Sequence, residues 1–590
     1  MNTALLRDSS AGYLIRLLSH NRALQYPEER ADYVVPRRYL LHRASTDADS
    51  LKTVVDTPCS DKISRDEEAI LEDELPRIEQ GERALDREDT KVSSDFKNDE
   101  KKAQDDDLEK QEEPTQDIAK PKPDFLVDWY DENDPENPQN WSFGKKCVVT
   151  SAIMILTFSV YIGSAIYSPS IPGVMETFNV NSVRATLGLS LFVIGYGIGP
   201  MFLSPLSEIP RIGRNPPYMI TLFLFVIFQI PTFTTNDYDT LMAFRFVTGF
   251  VGSPALATGG ASMGDIWPVM KQPYVIAMWC VGAVCGPVLG PVIGGFAAKN
   301  KGYKWPLYEL VWLSSLTLVI LLFILPETYG PKILLKRAER LRKVTGNENL
   351  RSQSEIDQAN LTVRELTVES LVRPFQLMLE PAVLFINIYI GLTYSIFYLW
   401  FEAFPLVFEG IYGFNLGLQG LPFIGFAITC FLSFLAYAAA QYYYYEPRAK
   451  RLGSLVPEER LQVALISCFF IPVSLFMFGW TSRESVHWIA PVIAAALYMP
   501  GIFLIFQCCL VYLPLSYPKY AASLLAGNDF FRSCMAGVFP LFGRALFNTL
   551  GVGPGCSLLA GLEIALIPVL YMFYYRGAQF RAWSKYAESS

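Results

Sequence analysis

Histidine is scarce in this chain of 590 residues: only His20, His42 and His487 are present. So few imidazoles leave a histidine-rich metal centre, or a Ser-His-Asp triad within one compact site, little to draw on. The 10 cysteines are scattered without a Cys-x-x-Cys pair, and Cys280, Cys285, Cys430, Cys468, Cys508 and Cys509 lie inside apolar runs. They read as small membrane-buried residues and not as a disulfide framework. No Gly-x-x-x-x-Gly-Lys-Ser/Thr loop is present to cradle nucleotide phosphates, which argues against ATP as an energy source. No hydrophobic core with a small-residue cleavage site opens the chain, so the first long apolar run is expected to act as the insertion signal. An enzyme is not expected, and neither is a metal, a cofactor or a nucleic-acid partner.

What the chain has in quantity is apolar surface. Hydrophobic residues make up 51% and aromatics 14%, and the mean hydropathy is +0.23 although the first 124 or so residues are strongly polar. Apolar runs of roughly 18–25 residues recur, the length a helix needs to cross the hydrocarbon layer. Barrel strands need only about 9–11 alternating residues, so the runs predict helices. The predicted spans are about 147–167, 183–204, 218–235, 241–263, 274–298 and 306–326, then 381–408, 417–441, 461–480, 487–512, 519–547 and 553–575. This is an all-α membrane protein of about twelve helices in two pseudo-symmetric six-helix bundles, 147–326 and 381–575, the hydropathy signature of a secondary transporter. Glycine and proline near 417–425 and 536–555 leave eleven or thirteen spans open.

Outside the spans, residues 1–124 predict a largely disordered acidic tail that begins with a modestly amphipathic stretch, Leu5 to Leu24. A juxtamembrane segment follows at 125–146, a basic central loop at 327–380 and a short tail at 576–590. Lysine and arginine favour a cytoplasmic N-terminus: Arg211, Arg214, Lys271, the cluster Lys332 to Lys343, Arg448, Lys450, Arg451, Arg460 and Arg576 all fall on that side. Lys299, Lys301 and Lys304 oppose the rule, but both termini are still expected inside. The sequons at Asn140 and Asn360 would then be cytoplasmic and unglycosylated.

Several spans carry more than hydrophobicity. In span five, Gly282, Gly286, Gly290 and Gly294 recur every fourth residue beside Pro287, Pro291 and Gly295. Four residues advance about 400° around a helix, so these glycines form a groove in which a neighbouring backbone can approach. Each proline removes one backbone hydrogen bond and encourages bending. The connection after span two holds Gly199, Pro205, Glu208, Gly213 and Arg214, an acid and bases meeting at a tight turn. Arg245 lies about one turn inside span four, where a charge costs at least ~2.5 kcal/mol. It either snorkels to the headgroups or faces the cavity and tunes a carboxylate.

Asp529 and Arg532 stand three apart in span eleven and can neutralise each other. Glu309, Glu402 and Glu563 are further acids within spans, and Asp265 ends span four. In span seven Tyr394, Tyr398 and Glu402 recur every four residues with Phe397 and Phe401 alongside. Such a stripe is usually packing, but with Gln507 it also suits a cavity for flat, amphipathic or cationic molecules.

The span-five pattern resembles that of the drug:proton antiporters of the major facilitator superfamily. Asp134 to Trp141, Leu256 to Ala261, Pro326-Glu327-Thr328 and Asn528 to Ser533 are similar to the fungal multidrug branch, whose benomyl, methotrexate and fluconazole resistance transporters are the nearest likeness. The resemblance implies that the span-five glycines and prolines let that helix bend and seal as access alternates. It implies that Glu208 and Arg214 latch the two bundles, although Glu208 replaces the usual aspartate, Pro205 a common glycine, and extra residues precede Gly213. The spacing from Arg245 to Gly249 resembles the fourth-span motif associated with proton coupling.

The expected function is therefore proton-coupled export of drug-like molecules by alternating access, by a monomer in the plasma membrane. Its expected partners are such drugs, protons and the lipid bilayer. Asp529, Glu402 and Asp265 are equal candidates for the proton-binding carboxylate. An uptake permease on the same scaffold, or a non-transporting sensor signalling through its acidic tail, are the alternatives.

Overall fold

The computed structural model describes residues 3–30, 33–36, 39, 125–359, 372–452, 456–517, 520–584 and 586. Among them are twelve helical runs long and apolar enough to cross a bilayer. Spans one to six are Phe143–Phe178, Ser182–Glu208, Asn215–Thr234, Tyr238–Ile266, Gln272–Lys301 and Trp305–Ile324. Spans seven to twelve are Pro381–Glu409, Leu418–Leu452, Pro457–Thr481, Ile489–Ser516, Ser523–Leu550 and Val552–Ala582. The two ambiguous regions resolve because span eleven runs unbroken through Pro540 to Leu550, and a short 3₁₀ turn, Leu418–Phe423, opens span eight.

Helix ends are set by polar caps that hydropathy does not register. Asn181 accepts from the Arg184 amide at 2.9 Å to start span two, and Asp237 accepts from the Thr240 amide at 2.9 Å to start span four. Several helices also outrun their apolar cores: span one continues through a 3₁₀ turn at Ser168–Ser170 to Phe178, and span eight reaches Leu452. Span four is jointed instead, as Tyr238–Gly252, Pro254–Ala257 and Gly259–Ile266. Pro254 has no N–H to give to the ladder, which loosens the helix where small residues pack.

Spans one to six pack as one bundle and seven to twelve as another, with span two lying against span eleven and span five against span eight between them. Span seven is the most enclosed, with 83% of its apolar window buried, against 28% for spans six and eight. Spans six and eight therefore present most of their surface outward, as lipid-facing helices do, and Glu402 and the tyrosines of span seven lie inside protein.

Packing divides the chain into two units: Met1–Ala31, Val127–Glu339 and Arg351–Ser590 in one, Asp32–Leu126 and Arg340–Leu350 in the other. All twelve spans belong to the first. Of the second, the described part includes the end of the helix Gly330–Thr345, stopped by Gly346 at φ +68°. The expected acidic tract of residues 45–124 lies outside the described residues, as does Asn360.

The expectation of a largely disordered tail needs correction at its start. Thr3–Asp8 and Ser10–Leu18 are helices, and Ser10 Oγ donates to Asn215 Oδ1 at 2.7 Å at the head of span three. Arg16 is held by Glu29 at 2.6 Å. The charge of the tail as a whole hides this, because its first 18 residues are apolar enough to form amphipathic helices and specific polar pairs tie them down. At the far end the last helix kinks at Arg576 (φ −123°, ψ 17°), and a further helical segment to Trp583 is tied by an ion pair between Arg581 and Glu458.

Candidate functional site

The turn Asp134 to Trp141 before span one is a small polar module. Asp134 accepts the Tyr130 and Glu136 amides, each at 2.9 Å, and pairs with buried Arg337 at 2.6 Å. Burial works against the Asp134 carboxylate, but Arg337 outweighs it and holds the group below the ordinary carboxylate range. Asn140 donates to the carbonyl of Glu132 at 2.6 Å, so its amide is already engaged.

The turn between spans two and three builds on the same face. Gly213, at φ +72°, reverses the chain, and a side chain there would strike Lys332 and Glu327. Arg214 bonds Asp265 at 3.2 Å and Ser207 at 2.9 Å, with Glu208 at 3.6 Å. Burial opposes its charge, yet Asp265 and Glu208 raise its proton affinity above the ordinary value. Glu327 accepts the Arg214 amide at 2.9 Å and pairs with Lys332 at 2.7 Å. The expected latch between bundles is thus corrected: these contacts join spans two, three, four and six of one bundle. Pro205 sits inside span two, and Gly199 abuts Ser253 of span four.

On this face the bundles meet elsewhere. Glu446 of span eight accepts from the Tyr274 hydroxyl at 2.9 Å and faces Lys271 at 3.4 Å, both at the head of span five. The charge pattern held no mark of this pair, since it needs two distant turns to face each other.

Arg245 is fully buried, and neither expected reading describes it. Its Nε donates to the Gly188 carbonyl at 2.8 Å and its Nη2 to the Gly163 carbonyl at 2.9 Å. The guanidinium lies 4.7 Å from the Tyr167 ring and 4.6 Å from the Phe192 ring. Among the described residues it forms no ion pair, so it clamps spans one, two and four through backbone and ring faces.

Span five lies along span one. A Cβ at Gly286 would meet the Ile162 nitrogen at 2.9 Å, at Gly290 the Ile166 nitrogen at 2.7 Å, and at Gly294 the Ile166 carbonyl oxygen at 2.7 Å. Gly282 faces only the Met154 side chain, at 3.2 Å. Gly295 turns the other way, toward the Leu416 carbonyl of the second bundle, at 2.6 Å. The helix runs unbroken through Pro287 and Pro291.

Midway between the faces, span seven meets the first bundle through hydroxyls. The Tyr394 hydroxyl lies 2.8 Å from that of Tyr161 and 2.7 Å from that of Tyr196. Tyr196 reaches Tyr398 at 3.1 Å, and Tyr398 donates to Ser164 at 3.2 Å. Buried tyrosine hydroxyls need partners, and here each bundle supplies the other's. Arg532 lies 5.1 Å from the Tyr394 ring and 5.5 Å from that of Phe506, and pairs with Asp529. Oδ2 of Asp529 is buried without a hydrogen-bond partner. Gln507 reaches Cys280 of span five. Tyr161, Tyr196 and Ser164 were not singled out in the sequence; a tyrosine flanked by Gly195 and Gly197 was the available signal.

Phe397 and Phe401 flank this hub, their rings 5.8 and 5.5 Å from that of Tyr398, and the other expected acids lie away from it. Phe397 packs on Phe426 at 6.1 Å and Phe401 stacks on Phe423 at 5.2 Å, both within the second bundle. Glu402 lies toward the opposite face, accepting from Thr186 at 3.1 Å, near Ser182, which accepts from Arg544 at 3.1 Å. Glu563 is buried against Thr393 at 3.1 Å inside the second bundle. Among the described residues no cluster of three or more His, Cys, Asp or Glu could hold a metal.

Two six-helix bundles meeting at a polar midplane seam define a secondary transporter of the alternating-access class. Residues 153–540 match the sequence profile of the Major Facilitator Superfamily, and the chain belongs to that family. Transporter mfs1 of Schizosaccharomyces pombe is 45% identical over 78% of this chain and 88% of its own length. The cycloheximide resistance protein of Candida maltosa is 38% identical over 99% of this chain and 100% of its own. Fluconazole resistance protein 1 of Saccharomyces cerevisiae is 42% identical over 79% and 85%. Among solved structures, the proton:xylose symporter XylE superposes with a TM-score of 0.53 at 14% identity, covering 74% of this chain and 97% of that one. The human organic anion transporter MFSD10 gives 0.51 at 13%, covering 72% and 99%. At those identities they speak to the fold.

Proposed function

We propose that this chain is a proton-coupled exporter of drug-like organic molecules, working as a monomer in the plasma membrane with both termini cytoplasmic. Its relatives named for cycloheximide and fluconazole resistance support the substrate class, and the basic connections on the face holding both termini support the orientation. The observation that carries the coupling is the Asp529–Arg532 pair beside the tyrosine hub. Of the three candidate carboxylates, Asp265 is engaged by Arg214 at the end of span four and Glu402 by Thr186 near the opposite face. Asp529 alone of the three adjoins the midplane seam and keeps an unbonded oxygen.

Protonation of Asp529 would cancel the charge that holds Arg532, leaving the guanidinium to the rings of Tyr394 and Phe506. Because Tyr394 bridges the bundles, that change alters the relative stability of the two access states. The aromatic rings offer flat surfaces to a bound drug. The test is uphill efflux of a cationic fluorescent drug from reconstituted vesicles under an imposed proton gradient. Asp529→Asn should reduce it at least about tenfold while drug binding persists, and a protonophore should abolish wild-type efflux. Full uphill efflux by Asp529→Asn would remove Asp529 from the coupling, and protonophore-insensitive wild-type efflux would remove the proton.

A further inference from the structure

At the face opposite the termini, a cavity of about 70 Å³ lies between the ends of spans one, five, seven, eight and eleven. No residue of the tyrosine hub lines it. Its polar lining comes chiefly from Glu402, Glu409, Gln419 and Arg544, and its apolar walls include Phe401 and Phe423. The Oε1 atom of Gln419 is buried with no hydrogen-bond partner, on a side chain that is 7% exposed. Burying an amide oxygen unpaired is costly, so its position calls for a donor from outside the chain.

The balance of groups narrows what that donor is. Two carboxylates and one guanidinium line the cavity, which leaves one negative charge in formal count, and Gln419 adds a further acceptor. A ligand that completes the set carries a single positive charge and donates hydrogen bonds. A hard metal ion prefers about six oxygen ligands, whereas stacked phenyl rings suit the alkyl and cationic parts of an organic ammonium. The volume has room for a few waters at about 10–15 Å³ each, enough for a small ammonium head and far below a drug-sized pocket.

We propose that this cavity is a binding site for a protonated alkylamine group, held by Glu402 and Gln419 with Glu409 at the rim. As an exit-side station for cationic substrates it rests on the export reading; as a binding site it does not. The probe is methylammonium chloride, added to the purified full-length protein in detergent while thermal unfolding is followed, with sodium chloride at equal ionic strength as control. Methylammonium should raise the midpoint in the wild type beyond sodium chloride. Gln419→Leu and Glu402→Gln should each raise the half-maximal concentration about tenfold, and Gln419→Glu, which adds a charge, should lower it about tenfold. Equal stabilisation by sodium, or one concentration dependence for all four proteins, overturns the site and leaves a cavity that holds only water or unspecific cations. Binding with this variant pattern in a protein that exports no cationic dye would uphold the site and defeat the export reading; efflux without binding would do the reverse.

Discussion

Arg245 illustrates how a charge is kept inside a membrane protein without an opposite charge. Its two hydrogen bonds go to the carbonyls of Gly163 and Gly188, where a missing side chain lets the helices come close to the Phe192 and Tyr167 rings. A hydrogen bond to a charged group contributes ~1.5–3 kcal/mol, and the planar fork serves two carbonyls at once. Arg245→Ala is expected to destabilise the protein by ~3 kcal/mol or more and to cut proton-driven efflux at least about tenfold. Arg245→Lys, which keeps the charge but not the fork, should fall between. Thermal unfolding and vesicle efflux at matched expression check this; full efflux and an unchanged midpoint for Arg245→Ala would show that the clamp is dispensable.

Span five shows what a periodic glycine row does and where it stops mattering. At Gly290 an added Cβ meets main-chain atoms of span one at 2.7 and 3.0 Å, which can yield only by moving a helix; at Gly282 it meets the flexible thioether of Met154 at 3.2 Å. Gly290→Val is therefore expected to insert normally but lose transport at least about tenfold, while Gly282→Ala stays within about twofold. Transport measured against surface-expressed protein separates the two. Equal tolerance would mean that spans one and five need not touch during the cycle. Gly295 carries a different load, since its close neighbour is Leu416 of the other bundle.

The molecule as a whole is held across its seam at three depths: Glu446 with Lys271 and Tyr274 on the face of the termini, the tyrosine hydroxyls in the middle, and Glu402 with Thr186 and Arg544 with Ser182 opposite. Alternating access requires the two outer sets to be broken in turn, so neither can be strong. Lys271 is half-exposed, and such an ion pair contributes ~0.2–1 kcal/mol. Glu446→Ala, which also removes the acceptor of Tyr274, should favour opening on that face and speed labelling of Cys280 by a membrane-impermeant thiol reagent about two- to fivefold, in a background lacking the other cysteines. No change in labelling would show that Glu446 does not hold that face closed.

The helical class, a count of about twelve spans and the bundle division were legible in the chain because the bilayer imposes a length and a polarity that each segment must meet by itself. The glycine row of span five was legible for a related reason: helical periodicity alone places Gly282, Gly286, Gly290 and Gly294 on one face. Only the tertiary structure decided which neighbour that row receives, that Arg245 bonds carbonyls and no acid, and that Arg214 binds within its own bundle. It also drew Tyr161, Tyr196 and Tyr394 from three helices to one point and sent Phe397 and Phe401 into packing. Such pairings join residues hundreds of positions apart, and their free energy depends on distances between helices, which local propensity and hydropathy do not encode.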